Sequence, residues 1–192
     1  QIVKPAMEQK SIVILNSSEL DKLESGLSSD SSLESLGIML SLYTGLRIGE
    51  ICALKWCDID LENKVLHVRH TIARVKNTNP TDSSKTCLII DKPKTKSSLR
   101  DIPITTNIFS LLSSARAASV SEYVISDQST FLSPRTYEYR FHKKLEEHNI
   151  KDINYHALRH TFATRCIEKG IDVKSLSEIL GHSNVSITLN TY

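Results

Sequence analysis

No stretch of these 192 residues approaches the apolar length that a membrane-spanning helix needs, and the first residues lack the basic, apolar, small-residue order of a signal peptide. Neither sign of charge dominates: 24 Lys and Arg against 22 Asp and Glu leave a net charge of +2. Overall charge therefore announces no nucleic-acid partner, and any such argument must rest on where the charges sit. Cys52, Cys57, Cys87 and Cys166 form no CxxC pair and no zinc-ligand spacing, which points to free thiols in a reducing compartment. No internal repeat is visible. What remains is ordinary globular material, 40% hydrophobic and 24% charged, enough for one large domain or a smaller one with an appendage.

The pattern along the chain predicts a mostly helical fold with one small antiparallel β-sheet on its edge. Residues 1–11 are polar, carry Pro5 and read as a linker; 12–192 read as the domain. "SIVIL" is a short extended segment, and Ser17 or Ser18 caps the helix that follows it. "SSLESLGIMLSLYTG" has Leu33, Leu36, Met39, Leu40 and Tyr43 at helical spacing and Gly45 as its stop. "RIGEICALKW" begins another helix. "KVLHVRHTIARV" alternates and is rich in β-branched residues, so it predicts a single strand; "TCLIID" and "LRDIPI" are two more. Helices are then expected over about 105–118, 134–148, 155–169 and 173–181, with a last short one from about 184.

Four stretches carry groups that do chemistry. In "NYHALRH", Asn154 is a good cap, and His156 and Arg159 fall at i and i+3 on one helix face. A helix N-terminus with a guanidinium and an imidazole suits an anion such as phosphate. In "LGHSN", Gly181 stops a helix and His182 is held on the turn. In "TGLRIGE", Arg47 opens a helix and Glu50 stands one turn on, placed to orient it. In "DKPKTKSSLRDIPI" and the residues just before it, Lys85, Lys92, Lys94, Lys96 and Arg100 outnumber Asp91 and Asp101. Such a hairpin is either a soluble edge or a surface for a phosphate backbone.

Read in order, Arg47, a lysine in a β-hairpin, His156-x-x-Arg159, His182 and Tyr192 resemble the catalytic domain of the tyrosine recombinases, the phage and transposon integrase family, over residues 12–192. "TGLRIGEICALKW", "KTKSSLRDIPI", "HALRHTFATRC" and "LGHSNVSITLNTY" carry the likeness. The resemblance implies that fold, with Tyr192 as nucleophile and Arg47 and Arg159 clamping the scissile phosphate. Lys94 would be the general acid, with Lys96 the alternative two residues on. His156 and His182 would complete the pocket, Glu50 would support Arg47, and Lys92, Lys96 and Arg100 would meet DNA. It further implies no cofactor or metal, double-stranded DNA at recombination sites as partner, a homo-oligomer (a tetramer) on that DNA, no membrane, and a DNA-associated protein of the bacterial cytoplasm. Family members usually carry an N-terminal DNA-clasping domain and residues beyond the tyrosine. The interval from His182 to Tyr192 is one residue longer than in some members. A topoisomerase IB-like relaxing enzyme, or a non-catalytic DNA-binding protein of this fold, would share the same residue set.

The residue set has a physical logic. Phosphodiester cleavage without metal needs fixed cations for the charge developing on phosphorus, which two arginine forks supply. It needs a proton for the leaving 5′-oxygen, which a lysine can give. It also needs a nucleophile that conserves the bond, and a phenol of pKa about 10 leaves again more readily than an alkanol. Both arginines stand near helix starts and are therefore expected to matter for the phosphate and little for the fold.

Overall fold

The centre of the molecule is a helix with almost no polar face. In the computed structural model, which describes residues 12–78, 84–92 and 96–192 (Lys96 by its backbone), α2 (Leu33–Thr44) buries every residue from Ser35 to Leu42. A helix apolar all round must be covered on all sides. Around it pack α1 (Ser17–Ser28), α4 (Thr106–Ala118), α5 (Pro134–Glu147) and α6 (His156–Glu168). α5 contributes Tyr137, Phe141 and Leu145, which repeat every four residues and so share one stripe. Tyr137, Phe141 and Tyr155 meet edge to face, and Tyr155 Oη lies 2.6 Å from Ser41 Oγ inside the core. The polar groups that α2 takes inside are thus paired, as burial requires.

α1 is capped by Asn16 instead of Ser17 or Ser18. Asn16 Oδ1 accepts from Glu19 N–H, and Glu19 Oε2 accepts from Asn16 N–H, both at 2.9 Å. The reciprocal pair needs Glu three residues after the cap, and only position 16 stands at that distance.

The β structure differs from the single expected sheet. β1 (Ile59–Asp60), β2 (Val65–Val68) and β5 (Arg100–Pro103) form one antiparallel sheet in the order β1-β2-β5; β3 (Thr71–Lys76) and β4 (Thr86–Asp91) form a second. The one strand expected over 64–75 is therefore two, broken at Arg69-His70. Alternation could not reveal the break, because the buried positions Leu66, Val68 and Ile72 keep one phase across it. Arg69 holds the corner by donating to Arg100 O at 3.2 Å and to Asp101 at 2.6 Å. β3 then leaves the first sheet and lies on α3 (Ile48–Ala53).

Of the last two helices, α7 (Val173–Leu180) packs on α6 and α8 (Val185–Thr191) packs on α7. A small apolar cluster of Ala163, Cys166, Leu176 and Leu180 joins them, with Phe162 and Tyr192 against it. α2 and α7 both end on a left-handed glycine, Gly45 at φ 66° and Gly181 at φ 67°. A methyl at Gly45 would come within 2.7 Å of the Phe162 ring, and one at Gly181 within 3.0 Å of Ser97 O and Arg100 Cδ. These two tight C-termini face the same point. All four cysteines are free thiols. Among the described residues no helix is long and apolar enough to cross a membrane.

Candidate active site

Arg159 occupies the point on which the two helix ends converge. Its side chain is 2% exposed. One Nη donates to Gly45 O at 2.7 Å and the other to Leu180 O at 2.6 Å. Those carbonyls belong to helix C-termini, which lack intrahelical donors and carry partial negative charge. The fork therefore satisfies two orphan acceptors and finds a counter-field where, among the described residues, no carboxylate pairs with it. Burial, and then the charge of Arg47, lower its pKa to about 9, which leaves it a cation at neutral pH.

Arg47 lies at the start of α3 with its side chain 36% exposed. Glu50 Oε2 accepts its backbone N–H at 2.9 Å, and Glu50 Oε1 accepts from its guanidinium at 2.8 Å. A long contact of 3.5 Å leads to Gly181 O. Glu50 thus holds Arg47 from both ends and leaves part of the guanidinium free to solvent.

Arg100 is turned inward, against the expectation that it faces DNA. It is 7% exposed and donates to both Glu50 oxygens at 3.0 and 2.9 Å, to Ile179 O at 2.5 Å and to Ser98 O at 3.3 Å. It neutralises Glu50 and ties β5 to the end of α7. Burial would raise the Glu50 pKa, but the hydrogen bonds and charge of Arg100, then Arg47, hold it at about 2.

Glu50→Gln is expected to lower unfolding free energy at pH 7 by about 3 kcal/mol or more, because it strands a buried guanidinium. The carboxylate's stabilisation is present above its ordinary pKa of 4.5 and is lost as pH falls towards about 2. Urea titrations across that window should show a steeper acid loss in the parent than in the variant; parallel curves would remove Glu50 from this role.

The imidazoles complete the group. His182 follows Gly181, and its Nδ1 lies 2.8 Å from Thr188 Oγ1. Partial burial, followed by the charges of Arg159, Arg47 and Arg100, lowers its pKa to about 4. His156 opens α6. Asn154 does the capping expected of it, since its Oδ1 accepts from Ala157 N–H at 3.0 Å. Partial burial, then His160, Arg159 and Arg47, bring His156 to about 4 as well, although one edge stays exposed. Tyr192 follows α8, its N–H bonded to Thr188 O at 2.9 Å. Its Oη lies 2.7 Å from His160 Nδ1.

Two residues here lay outside the sequence reading. His160 stands four residues after His156 on the same helical face, a signal visible in "HALRH". Thr188 stands one turn before Tyr192 and is fully buried, a fact that no pattern announces. A cleft of about 480 Å³ opens beside them, lined by Arg47, Gly49, Thr71, Glu138, His156 and His160 among others.

The basic connection is seen only in part. Lys92 is exposed, and Lys94 lies outside the described residues. Lys96 begins the short 3-10 turn Lys96–Ser98. The far end of this connection is anchored beside the site through Arg100 and through the contact of Ser97 with the Gly181 turn. Among the described residues no group of three His, Cys, Asp or Glu side chains is arranged to hold a metal ion.

A mostly helical domain with two small antiparallel sheets is the architecture of a tyrosine recombinase catalytic domain, and in this one two arginines, three histidines and a tyrosine are drawn together from four segments. Residues 14–192 match the phage integrase family, and the chain belongs to it. It is 36% identical to a XerC-like tyrosine recombinase of Caldanaerobacter subterraneus over 80% of this chain and 44% of that protein. It is 28% identical to the transposase of transposon Tn916 from Enterococcus faecalis over 81% of this chain and 40% of that one. The chain thus spans less than half the length of these relatives. Among solved structures, the Tn1549 transposon integrase in complex with transposon right-end DNA superposes with a TM-score of 0.80 at 27% identity, covering 96% of this chain and 62% of that one.

Proposed function

We propose that this chain cleaves and rejoins DNA at specific sites through a 3′-phosphotyrosyl bond on Tyr192, in the integration and excision of a mobile genetic element. The observation that carries the reading is the convergence of Arg47 from the start of α3, Arg159 from the first turn of α6, His182 from the turn after α7 and Tyr192 from the end of α8. Names among the relatives, a transposase and a tyrosine recombinase, favour strand exchange over the relaxation of supercoils.

Double-stranded DNA is the substrate, and a homo-oligomer, a tetramer on paired sites, is the working form. Arg159, already fixed by two carbonyls, and Arg47, fixed by Glu50, present cations that need little rearrangement as charge builds on the phosphate. Such preorganised donors are worth about 10²–10³-fold each. His156 and His182, neutral near pH 7, offer N–H donors to the phosphate oxygens without adding repulsion to the two guanidiniums. Lys94 protonates the departing 5′-oxygen. Lys92, exposed on the strand-end connection, contributes attraction to the DNA backbone. Protein cations supply the charge stabilisation that metals supply elsewhere.

Nicked suicide duplexes made from the DNA flanking the gene, incubated with the chain in EDTA, are expected to give an SDS-resistant adduct that Tyr192→Phe abolishes. An adduct that survives in Tyr192→Phe would move the nucleophile elsewhere. Cleavage that needs Mg²⁺ would sink the mechanism.

A further inference from the structure

The phenol of Tyr192 cannot attack phosphorus while it keeps its proton, and His156, a neutral imidazole with a lone pair of its own, is not the ring that Tyr192 Oη meets. Arginine and lysine side chains have no acceptor lone pair. His182 turns its Nδ1 to Thr188, 2.8 Å away. The hydrogen bond made by Tyr192 Oη is to Nδ1 of His160, at 2.7 Å, with the two rings 5.5 Å apart and tilted by 58°. His160 is itself held edge-on against His156, with ring centroids 4.7 Å apart at 87°. The stack and the helix fix the direction of the Nδ1 lone pair.

We propose that His160 holds the Tyr192 phenol through Nδ1 and takes its proton as the tyrosine attacks. This rests on Tyr192 being the nucleophile. In the step, the Tyr192 O–H bond breaks and its proton passes to Nδ1. The oxygen lone pair forms the bond to phosphorus. The bond from phosphorus to the 5′-oxygen breaks with its electron pair, and that oxygen takes a proton from the general acid. In resealing, the 5′-hydroxyl returns its proton to the deprotonated general acid as its oxygen attacks phosphorus, the phosphotyrosyl bond breaks with its electron pair, and the imidazolium returns its proton to the phenolate.

The surrounding charges fit both directions. Burial, then Arg159, keeps His160 below the ordinary imidazole range, so it is neutral at pH 7 and has a lone pair to offer. Burial keeps the phenol protonated, against the pull of Arg159 and Arg47. The phenol is thus the donor and Nδ1 the acceptor, with the ring proton on Nε2. Around the ring stand His156 and Arg159 on α6, Arg47 at the start of α3 and Glu138 on α5. A phosphodiester bound between the arginines adds negative charge at that spot and eases formation of the imidazolium. The same site with no phosphate is a poor proton acceptor, so the nucleophile is activated only when DNA is in place.

Two measurements test this. ¹⁵N NMR of the histidine side chains should find His160 protonated on Nε2 alone, with an Nδ1 resonance that moves towards that of a free imine nitrogen in Tyr192→Phe. A proton on Nδ1, or a resonance indifferent to Tyr192→Phe, would overturn the proposal. Single-turnover cleavage should fall by about 10²–10⁴-fold in His160→Ala, with DNA affinity held within a few-fold. His160→Asn restores an acceptor near Nδ1 but no proton-accepting nitrogen, and should stay within tenfold of His160→Ala. Full recovery in His160→Asn would reduce His160 to a positioning contact and overturn the proton transfer. Adducts formed at the parental rate by His160→Ala would overturn this inference and leave the functional reading standing. Absence of any adduct from the parent protein would sink that reading and the proton transfer together.

Discussion

Alanine at position 159 is expected to cost both cleavage and fold, whereas alanine at position 47 costs cleavage alone. Arg159 is 2% exposed, and both ends of its fork are spent on helix-end carbonyls. Its removal strands Gly45 O and Leu180 O and opens a void between α2, α6 and α7. Charge-assisted hydrogen bonds of this kind contribute about 1.5–3 kcal/mol each, so a loss of roughly 2–4 kcal/mol in unfolding free energy is expected, net of relieved repulsion with Arg47. Arg159→Lys should not restore it, since one ammonium cannot span two carbonyls as a planar fork does. Arg47 is 36% exposed, and Glu50 keeps Arg100 when it goes. Arg47→Ala should therefore cost less than about 1 kcal/mol. Both variants should lower adduct formation by at least about 10²-fold. Urea midpoints beside suicide-substrate assays make the comparison. Equal midpoints for the two variants would show that the carbonyl clamp does not hold the fold. The expectation from sequence, that both arginines matter little for stability, is kept here for Arg47, which is partly exposed, and not for Arg159, which is buried.

Lys94→Ala should cut ordinary DNA about 10²–10⁴-fold more slowly, the usual worth of general acid catalysis. A 5′-bridging phosphorothiolate leaves as a thiolate, whose parent thiol has a pKa of about 8.5 and needs no proton at departure. Sulfur in that position should therefore bring Lys94→Ala close to the parental rate, while leaving Arg47→Ala slow. Rescue of Lys96→Ala instead, with Lys94→Ala still inactive, would shift the acid by two residues. Rescue of neither would send the search for the acid to His156. Arg100 donates to Ser98 O and to Ile179 O of α7, which ties the described end of the basic connection to α7.

The sequence by itself determined the helices and their glycine stops, and it offered most of the side chains that the structure brings together. Gly45 and Gly181 announce left-handed ends because only glycine takes that backbone cheaply, and Asn154 announces a cap because its carboxamide meets a free N–H within one turn. These are properties of neighbours in the chain. His156 and His160 share a face for the same reason, so the 3.6-residue period already sets the second ring beside the first. Tertiary structure alone decided what each cation does. Arg100 and Arg47 both looked available for phosphate. One is buried on Glu50 across 50 residues of chain, and the other keeps an exposed guanidinium on the same carboxylate. Arg159 became a clamp through Gly45 O, 114 residues away. Nor could alternation show that β2 and β3 lie in different sheets, since a corner that preserves phase leaves the pattern intact. Periodicity reports which face of an element is apolar. Which distant carbonyl or carboxylate meets a guanidinium depends on how those faces pack, and that information is held by no single segment.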